Sequence, residues 1–122
     1  MHSTTTNSWL VERAEDPPDA MEYICIATDL LQQMFSALQS LATSNTDLAR
    51  AMSTRESVIR HRLWTLHETV DLLLSGQDES PIGALMRRAT ALISWLSAET
   101  DELALRAAGD ESRARAHRIA FN

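Results

Sequence analysis

Histidine and carboxylate side chains are the groups in this chain with the chemistry to hold a metal ion. His67 and Asp71 are four residues apart, which puts both on one face of a helix, where they can share an ion. His61 points in a different direction on that helix, and the sequence has no Glu-x-x-His pair of the di-iron type. Two ligands are too few for a metal site. We therefore interpret them as solvated surface groups and predict neither a metal nor a cofactor.

Catalytic patterns are missing from the sequence as well. It has no Gly-rich phosphate loop, no nucleophile elbow and no His-Glu-x-x-His pair. Its clustered carboxylates are interpreted as charges at helix ends and in loops; they are Asp78, Glu79, Glu99, Asp101 and Glu102. We therefore predict no catalytic residues and a protein that is not an enzyme.

Trp64 is the first candidate for binding another protein. Projected on a helix, it lies about 140° from the centre of the apolar series around it. A Trp set among Arg and carboxylate side chains has the composition of protein-binding hot spots. The alternative is that a tail of the same chain covers Trp64. Its predicted neighbours on this face are Ser57, Arg60, His67, Glu68 and Asp71, of which Arg60, His67 and Asp71 are predicted to join it in binding a partner.

A second stripe lies about 150° from the core line of the predicted third helix. Its small residues around one Trp allow another helix to approach closely. The partner is either a helix of another chain or the C-terminal helix of the same chain. The stripe comprises Ala84, Arg88, Ala91, Trp95, Ala98 and Glu102, with Arg88 and Trp95 as the candidate partner-binding residues.

The C-terminal end is locally basic and is a possible phosphate contact through Arg113, Arg115 and Arg118. Arginines near a helix C-terminus also simply suit its dipole. Asp110 and Glu111 dilute the patch, and the formal net charge of the whole chain is −6. The charge balance therefore argues against a nucleic-acid partner.

Composition and periodicity predict an all-α fold. With only three Gly and three Pro, and with Leu, Ala, Met, Arg, Glu and Gln plentiful, the chain favours helices over strands. We predict an antiparallel bundle of three long helices over 17–43, 47–75 and 81–108, plus a short Arg-rich helix within 110–122, completed by dimerisation. The bundle domain spans 16–109. Residues 1–15 are predicted to be a flexible tail whose apolar triplet, Trp9-Leu10-Val11, could dock on the bundle or on a partner.

Helix boundaries follow from capping residues. Asp16 and Ser80 are candidate N-caps, with Pro81 expected as the first residue of the third helix. Gly76 and Gly109 are candidate left-handed C-caps. The stretch Ser53-Thr54-Arg55-Glu56 matches a capping box, which leaves open a separate turn before the main part of the second helix.

The segment 20–42 is predicted to organise the bundle. Its apolar residues step by threes and fours and, with Ile26, Leu30 and Ala37, cover roughly 220° of the helix, whereas a surface helix shows roughly 100°. Such a helix is expected to pack against at least two other helices, which belong either to this chain or to a second copy or a partner. The two apolar series are Ile24, Ala27, Leu31, Met34, Leu38, Leu41 and Met21, Ile24, Thr28, Leu31, Phe35, Leu38, Ala42.

Compartment is predicted from the cysteine count and from missing signals. Cys25 is the only cysteine, which excludes an intrachain disulfide and fits a reducing cytosol. Residues 1–8 lack the features of a signal peptide, and no apolar run approaches the ~20 residues that span a bilayer. All eleven basic residues are Arg, which indicates a GC-rich bacterial genome. We expect a cytoplasmic protein that does not enter a membrane.

These observations predict a non-catalytic helical interaction module, which is a small adaptor, regulator or chaperone-like protein that binds a protein partner, itself as a homodimer, or both. One alternative is a small inhibitor or immunity-type accessory protein from a mobile element that binds a partner enzyme. The other is a nucleic-acid-binding regulator that uses the Arg-rich C-terminus.

Overall fold

The computed structural model describes residues 17–76 and 81–121 and confirms that the fold is all-helical, with no strand in those ranges. Five helices pack against one another. The predicted tail over 1–15, including Trp9-Leu10-Val11, and the proposed caps Asp16 and Ser80 lie outside the described residues. The helices are α1 (Pro17–Ala42), α2 (Thr46–Ser53), α3 (Glu56–Ser75), α4 (Ile82–Ala107) and α5 (Glu111–Phe121).

The region predicted as one helix over 47–75 is two helices. α2 ends at Ser53, whose hydroxyl donates to the carbonyl of Arg50 (2.8 Å), and the N–H of Arg55 turns back to Met52 O (3.0 Å). Arg55 occupies the N-cap of α3 and makes no side-chain cap bond there. The capping-box signal therefore marks a true boundary, but its Ser does not cap α3, because that Ser still belongs to α2.

Short turns with identifiable caps fix the helix ends. Asn45 is the N-cap of α2, where its Oδ1 accepts from the N–H of Leu48 (3.0 Å) and its Nδ2 donates to Ala107 O at the end of α4 (3.3 Å). Gly76 and Gly109 both have positive φ, 65° and 82°, as predicted for left-handed C-caps. Pro81 is the N-cap of α4 rather than its first residue, because its ψ of 135° is extended.

α4, and not the segment 20–42, is the helix around which the bundle is built. It contacts each of the other four helices, whereas α1 contacts α2, α3 and α4. One face of α4 packs against α1 and α3. The neighbouring face, which carries Glu102, is covered by α5 and by the α2–α3 junction. Its buried residues are Leu85, Ala89, Ile93, Leu96, Glu99, Thr100, Glu102 and Leu103.

α1 lies on the outside of the bundle. Gln39 Nε2 donates to Glu56 Oε2 (2.8 Å), and Gln32 Oε1 lies 3.2 Å from His67 Nε2, so α1 and α3 run in opposite directions. α1 buries Ile24, Thr28, Leu31, Phe35 and Leu38, while Tyr23, Ile26, Leu30, Met34, Ala37 and Leu41 face outward. The described residues therefore do not provide the enclosure of the roughly 220° apolar surface that was predicted from the sequence.

Asn45→Ala tests the junction between α1, α2 and α4. The variant loses both the N-cap bond to Leu48 and the bond to Ala107, so we expect the free energy of unfolding to fall by about 1–2 kcal/mol. Urea unfolding followed by circular dichroism measures the change. Ser44→Ala is the matched control, because Ser44 is exposed and its change is expected to stay within about 0.5 kcal/mol. Equal effects of the two substitutions would show that the two hydrogen bonds of the Asn45 side chain do not stabilise the junction.

Candidate functional site

The outward face of α1 carries a continuous line of apolar side chains. Successive members are spaced by four, three, four, three and four residues, which is the heptad spacing of a coiled-coil contact line. Leu30, near its middle, is 53% exposed. This line, the α1 seam, consists of Tyr23, Ala27, Leu30, Met34, Ala37 and Leu41, of which Ala27 is half-buried against the core and the other five are exposed.

Two borders separate the seam from the rest of α1. Ile26, also exposed, widens it on one side. Beyond Ile26 lies a strip of exposed polar side chains that includes Glu22, Asp29 and Ser36. On its other side the seam runs into the buried residues of α1. A regular apolar line exposed beside the core is the surface that a second helix covers in a bundle.

Sequence periodicity detected the apolar residues of α1 but not this seam. The two series found in the sequence mix buried residues, such as Ile24 and Leu38, with exposed ones, such as Met34 and Leu41. Periodicity shows which residues share a face, but not which face the rest of the chain covers. The width of the apolar surface was the available signal, because roughly 220° is about twice the apolar arc of an ordinary surface helix.

Trp64 is exposed on α3, with 59% of its surface accessible in the described chain. Its ring stacks on His61, with centroids 6.2 Å apart and an interplanar angle of 22°. Arg60, one turn away, pairs with Glu56 (2.8 Å), and Asp71 is exposed. The sequence-predicted Trp64 neighbourhood is therefore brought together on one outward face, except that His67 is half-buried against Gln32 of α1.

Trp95 and Arg88, the candidates on α4, have different environments. Trp95 is half-buried against the core, and the Arg62 guanidinium lies 4.1 Å from its ring centroid, a cation–π contact between α3 and α4. Arg88 is exposed. Farther along the stripe, α5 covers α4, and Glu102 is fully buried. At this end of the stripe, the helix that packs on α4 is thus the C-terminal helix of the same chain, which was the intramolecular alternative.

Glu102 lies at the centre of a buried cluster of ion pairs. Its carboxylate accepts a hydrogen bond from Arg106 Nε (2.9 Å) and forms ion pairs with Arg118 Nε (2.7 Å) and Arg55 Nη1 (3.1 Å). Glu99 Oε1, one turn earlier, lies 3.3 Å from both Arg55 and Arg118. The cluster joins α4 to α5 and to the α2–α3 junction.

The charge state of Glu102 follows from this geometry. Burial by itself raises the pKa of Glu102, but hydrogen bonds from Arg106 and Arg55 and the charges of Arg55 and Arg118 outweigh it. The net result is a pKa below the usual range for Glu. Glu99 and Glu102 are thus not helix-end charges, as predicted from the sequence, but buried partners of arginines; Asp101 between them is exposed.

The cluster also decides where the basic C-terminal residues go. Arg118, a predicted phosphate contact, has its guanidinium on Glu99 and Glu102. Arg113 and Arg115 are exposed, and Arg113 lies 3.9 Å from Asp110, which also accepts the Arg113 N–H at the start of α5. Of the three predicted contacts, two remain on the surface.

A groove of about 680 Å³ opens beside the cluster, between α3, α4 and α5. Its charged lining residues, Arg55, Glu99 and Arg118, are already paired with one another. The described lining also includes the hydroxyl groups of Thr54 and Ser94, and neither His nor Cys. Cys25 lies elsewhere, half-buried on α1, where burial and then the charge of Asp29 raise its pKa above the usual value and keep it a thiol.

Metal sites and membrane spans are both absent from residues 17–76 and 81–121. These residues contain no group of three or more His, Cys, Asp or Glu side chains placed to hold a metal ion. None of the described helices is long and apolar enough to cross a membrane. Comparison of the chain with protein-family models, with curated proteins and with solved structures gives no match.

Glu102→Gln tests the buried cluster. The substitution removes the charge that Arg55, Arg106 and Arg118 share and leaves Glu99 to face Arg55 and Arg118. We expect the free energy of unfolding to fall by about 3 kcal/mol, the lower end of the range for a broken buried pair. Asp101→Asn is the matched control, because it removes the same charge from an exposed neighbour, with an expected effect within about 0.5 kcal/mol. Urea unfolding at neutral pH compares the three proteins.

The pH dependence of stability follows from the lowered pKa of Glu102. The folded chain binds this proton less readily than the unfolded chain, whose Glu residues have a pKa of about 4.3. The stabilisation is therefore complete above the unfolded-state value and is lost as the pH falls through the folded-state value. The stability gap between wild type and Glu102→Gln should close in that acidic range, and a gap that does not depend on pH would contradict the assignment.

Trp64→Ala separates a binding role from a core role. Because the side chain is exposed, we expect the helicity to be unchanged and the free energy of unfolding to fall by less than about 1 kcal/mol. Leu63→Ala, at the adjacent buried position, should cost about 2–5 kcal/mol. Circular dichroism with urea unfolding compares the variants. A loss for Trp64→Ala as large as that for Leu63→Ala would place Trp64 in the core.

Proposed function

We propose that this protein is a non-catalytic interaction module that binds other protein chains through the exposed faces of its helices. The α1 seam is the main contact surface, and a helix from a second copy or from another protein completes the bundle there. The role is that of a small adaptor, regulator or chaperone-like protein. We place it in the bacterial cytoplasm, where a lone cysteine such as Cys25 stays reduced.

The exposed seam is the observation that carries this proposal. Leu30, Met34 and Leu41 lie on one line with Tyr23, and all four are exposed in the described chain. A soluble monomer gains nothing from a row of large apolar side chains in water, whereas covering them with another helix is favourable. Their regular spacing selects a helix, rather than an extended segment, as the complementary shape.

Trp64 supports a second contact surface on α3. With His61 stacked on it and Arg60 one turn away, it presents an aromatic anchor framed by charged groups. Binding hot spots favour this composition. A partner enzyme inhibited by this protein, as in immunity-type accessory proteins, would be recognised by such a surface.

The nucleic-acid alternative has less support. Its predicted contacts reduce to Arg113 and Arg115, since Arg118 is engaged by Glu99 and Glu102. Two exposed arginines on a chain of net charge −6 supply little of the phosphate neutralisation on which such binding depends.

Site-specific photo-crosslinking in the native host tests the proposed function. A photoreactive benzoylphenylalanine replaces Leu30 at the centre of the seam, and in a second protein it replaces Ser36, which is exposed on the polar strip of the same helix. On irradiation, we expect position 30 to form covalent adducts with another protein chain and position 36 to form few. Gel analysis and mass spectrometry give the mass of each adduct.

The adduct masses separate the possible partners. An adduct of twice the chain mass identifies a second copy, and a different mass that recurs between preparations and is absent from position 36 identifies another protein. Equal yields from the two positions, or no adduct from position 30, would show that the seam binds no chain and would overturn the proposed function.

A further inference from the structure

We infer that a second copy of this chain covers the α1 seam, with the two α1 helices antiparallel and related by a two-fold axis that crosses the seam midway between Leu30 and Met34. This inference rests on the proposed function, because it names the partner of the same surface. In the resulting interface, each seam residue of one copy faces a defined residue of the other. The facing pairs are Tyr23 with Leu41, Ala27 with Ala37, and Leu30 with Met34.

The order of side-chain sizes along the seam is the first argument. From Tyr23 to Leu41 it runs large, small, large, large, small, large, and this order is the same in both directions. When a copy is reversed, large side chains therefore face large ones, and Ala27 faces Ala37. Such self-matching is what a two-fold interface between identical chains requires. The facing pairs also join the two kinds of heptad position that meet in antiparallel coiled coils.

Small residues at two levels of the seam allow close approach. Ala27 and Ala37 lie one level either side of the central Leu30–Met34 pairs, so two alanine layers flank the two-fold axis. Helix axes can come close where both partners carry alanine, and the larger side chains above and below then interlock. A partner helix with large residues facing Ala27 and Ala37 would be held farther away.

The charges of α1 favour the antiparallel direction over the parallel one. Its charged residues are Asp19, Glu22 and Asp29, all acidic and all in its first half. Parallel pairing brings the two acidic halves together. Antiparallel pairing sets each acidic half beside a partner half whose polar residues, such as Gln33 and Ser40, are neutral. It also opposes the two helix dipoles, which parallel pairing aligns.

The bundle removes much of the cost that a short coiled coil normally meets. An isolated helix of this length is marginal in water, so two free peptides would have to become helical in order to associate. α1 is already fixed by its buried face, on which Leu31, Phe35 and Leu38 pack into the core. Association therefore orders seam side chains without having to form the helix.

Cysteine cross-linking between two different single variants tests the direction and the register. Ala27→Cys and Ala37→Cys are each made in a Cys25→Ala background, so that each protein carries one thiol. In the proposed dimer, identical positions are separated by about 15 Å along the helix axis, which is ten residues at about 1.5 Å each. A disulfide joins Cα atoms only about 4.4–6.8 Å apart. We therefore expect no disulfide-linked dimer from either variant alone and a linked dimer when the two are mixed and oxidised.

Sedimentation equilibrium of the full chain gives the matching measurement of assembly. Wild type is expected to be a dimer whose population rises with concentration. Leu30→Glu is expected to be monomeric with an unchanged circular dichroism spectrum, because Leu30 is exposed within one copy. Ser36→Glu adds the same charge outside the seam and should remain a dimer. If Leu30→Glu loses helicity, Leu30→Ser serves in its place.

Each outcome has a definite reading. Linked dimers from either single variant alone indicate parallel helices and overturn the inference, although a binding role for the seam remains. A wild-type monomer at every concentration also overturns it and leaves the seam to residues 1–16 or to another protein, which the adducts at position 30 distinguish. A dimer that persists in Leu30→Glu places the interface elsewhere and counts against both the inference and the proposed function.

Discussion

The main constraint on this structure is that α1 has more apolar surface than the described chain covers. A helix can pack only as many faces as it has neighbours, and α4, rather than α1, is the helix with a neighbour on most sides. The surplus is not scattered. It forms one regularly spaced line from Tyr23 to Leu41, while the polar residues of α1 are confined to a separate strip. That separation distinguishes a contact surface from the isolated apolar residues common on protein surfaces.

The cluster around the buried Glu102 ties two other elements to α4. A carboxylate removed from water needs partners for both oxygens, and here they come from Arg106 on α4, Arg55 at the α2–α3 junction and Arg118 on α5. Arg55 and Arg118 both reach Glu102 only when the α2–α3 junction and α5 lie together against α4. The cluster therefore contributes to placing α5, a helix with few large apolar residues of its own.

The sequence predicted the elements better than their arrangement. Helical spacing located the long helical segments, although the second of them is two helices, and Gly76 and Gly109 have the left-handed conformation predicted for them, because caps depend on local backbone geometry. The capping-box signal left open a break before the main part of the second helix, and the structure has that break at Thr54-Arg55, although Ser53 belongs to α2 and does not cap α3. Glu99 and Glu102 were assigned to the surface. Only the fold reveals that arginines from three elements converge on them, and no spacing along one helix encodes that.

The sequence predicted some features of the candidate site and not others, because periodicity shows which residues share a face but not which elements cover it. Trp64 was placed on an outward face of α3, because one helix's pattern shows where its polar side lies. The α1 seam was not separated from the core, because both are apolar, and only the neighbours of a helix decide which apolar residues are buried. Arg118 could not be distinguished from Arg113 and Arg115 by composition, although only Arg118 reaches buried carboxylates.

The two exposed surfaces are held in a fixed relation to each other. α1 and α3 are tied by the Gln39–Glu56 hydrogen bond and by the contact between Gln32 and His67. His67 is part of the face of α3 that carries Trp64, so this face adjoins the side of α1 opposite the seam. A helix docked on the seam thus leaves Trp64 accessible. The α1 seam is apolar, and the order of its side-chain sizes is the same in both directions. The surface on α3 has an aromatic side chain, Trp64, among charged ones. The same fold can therefore join two copies through α1 and bind a different partner through α3.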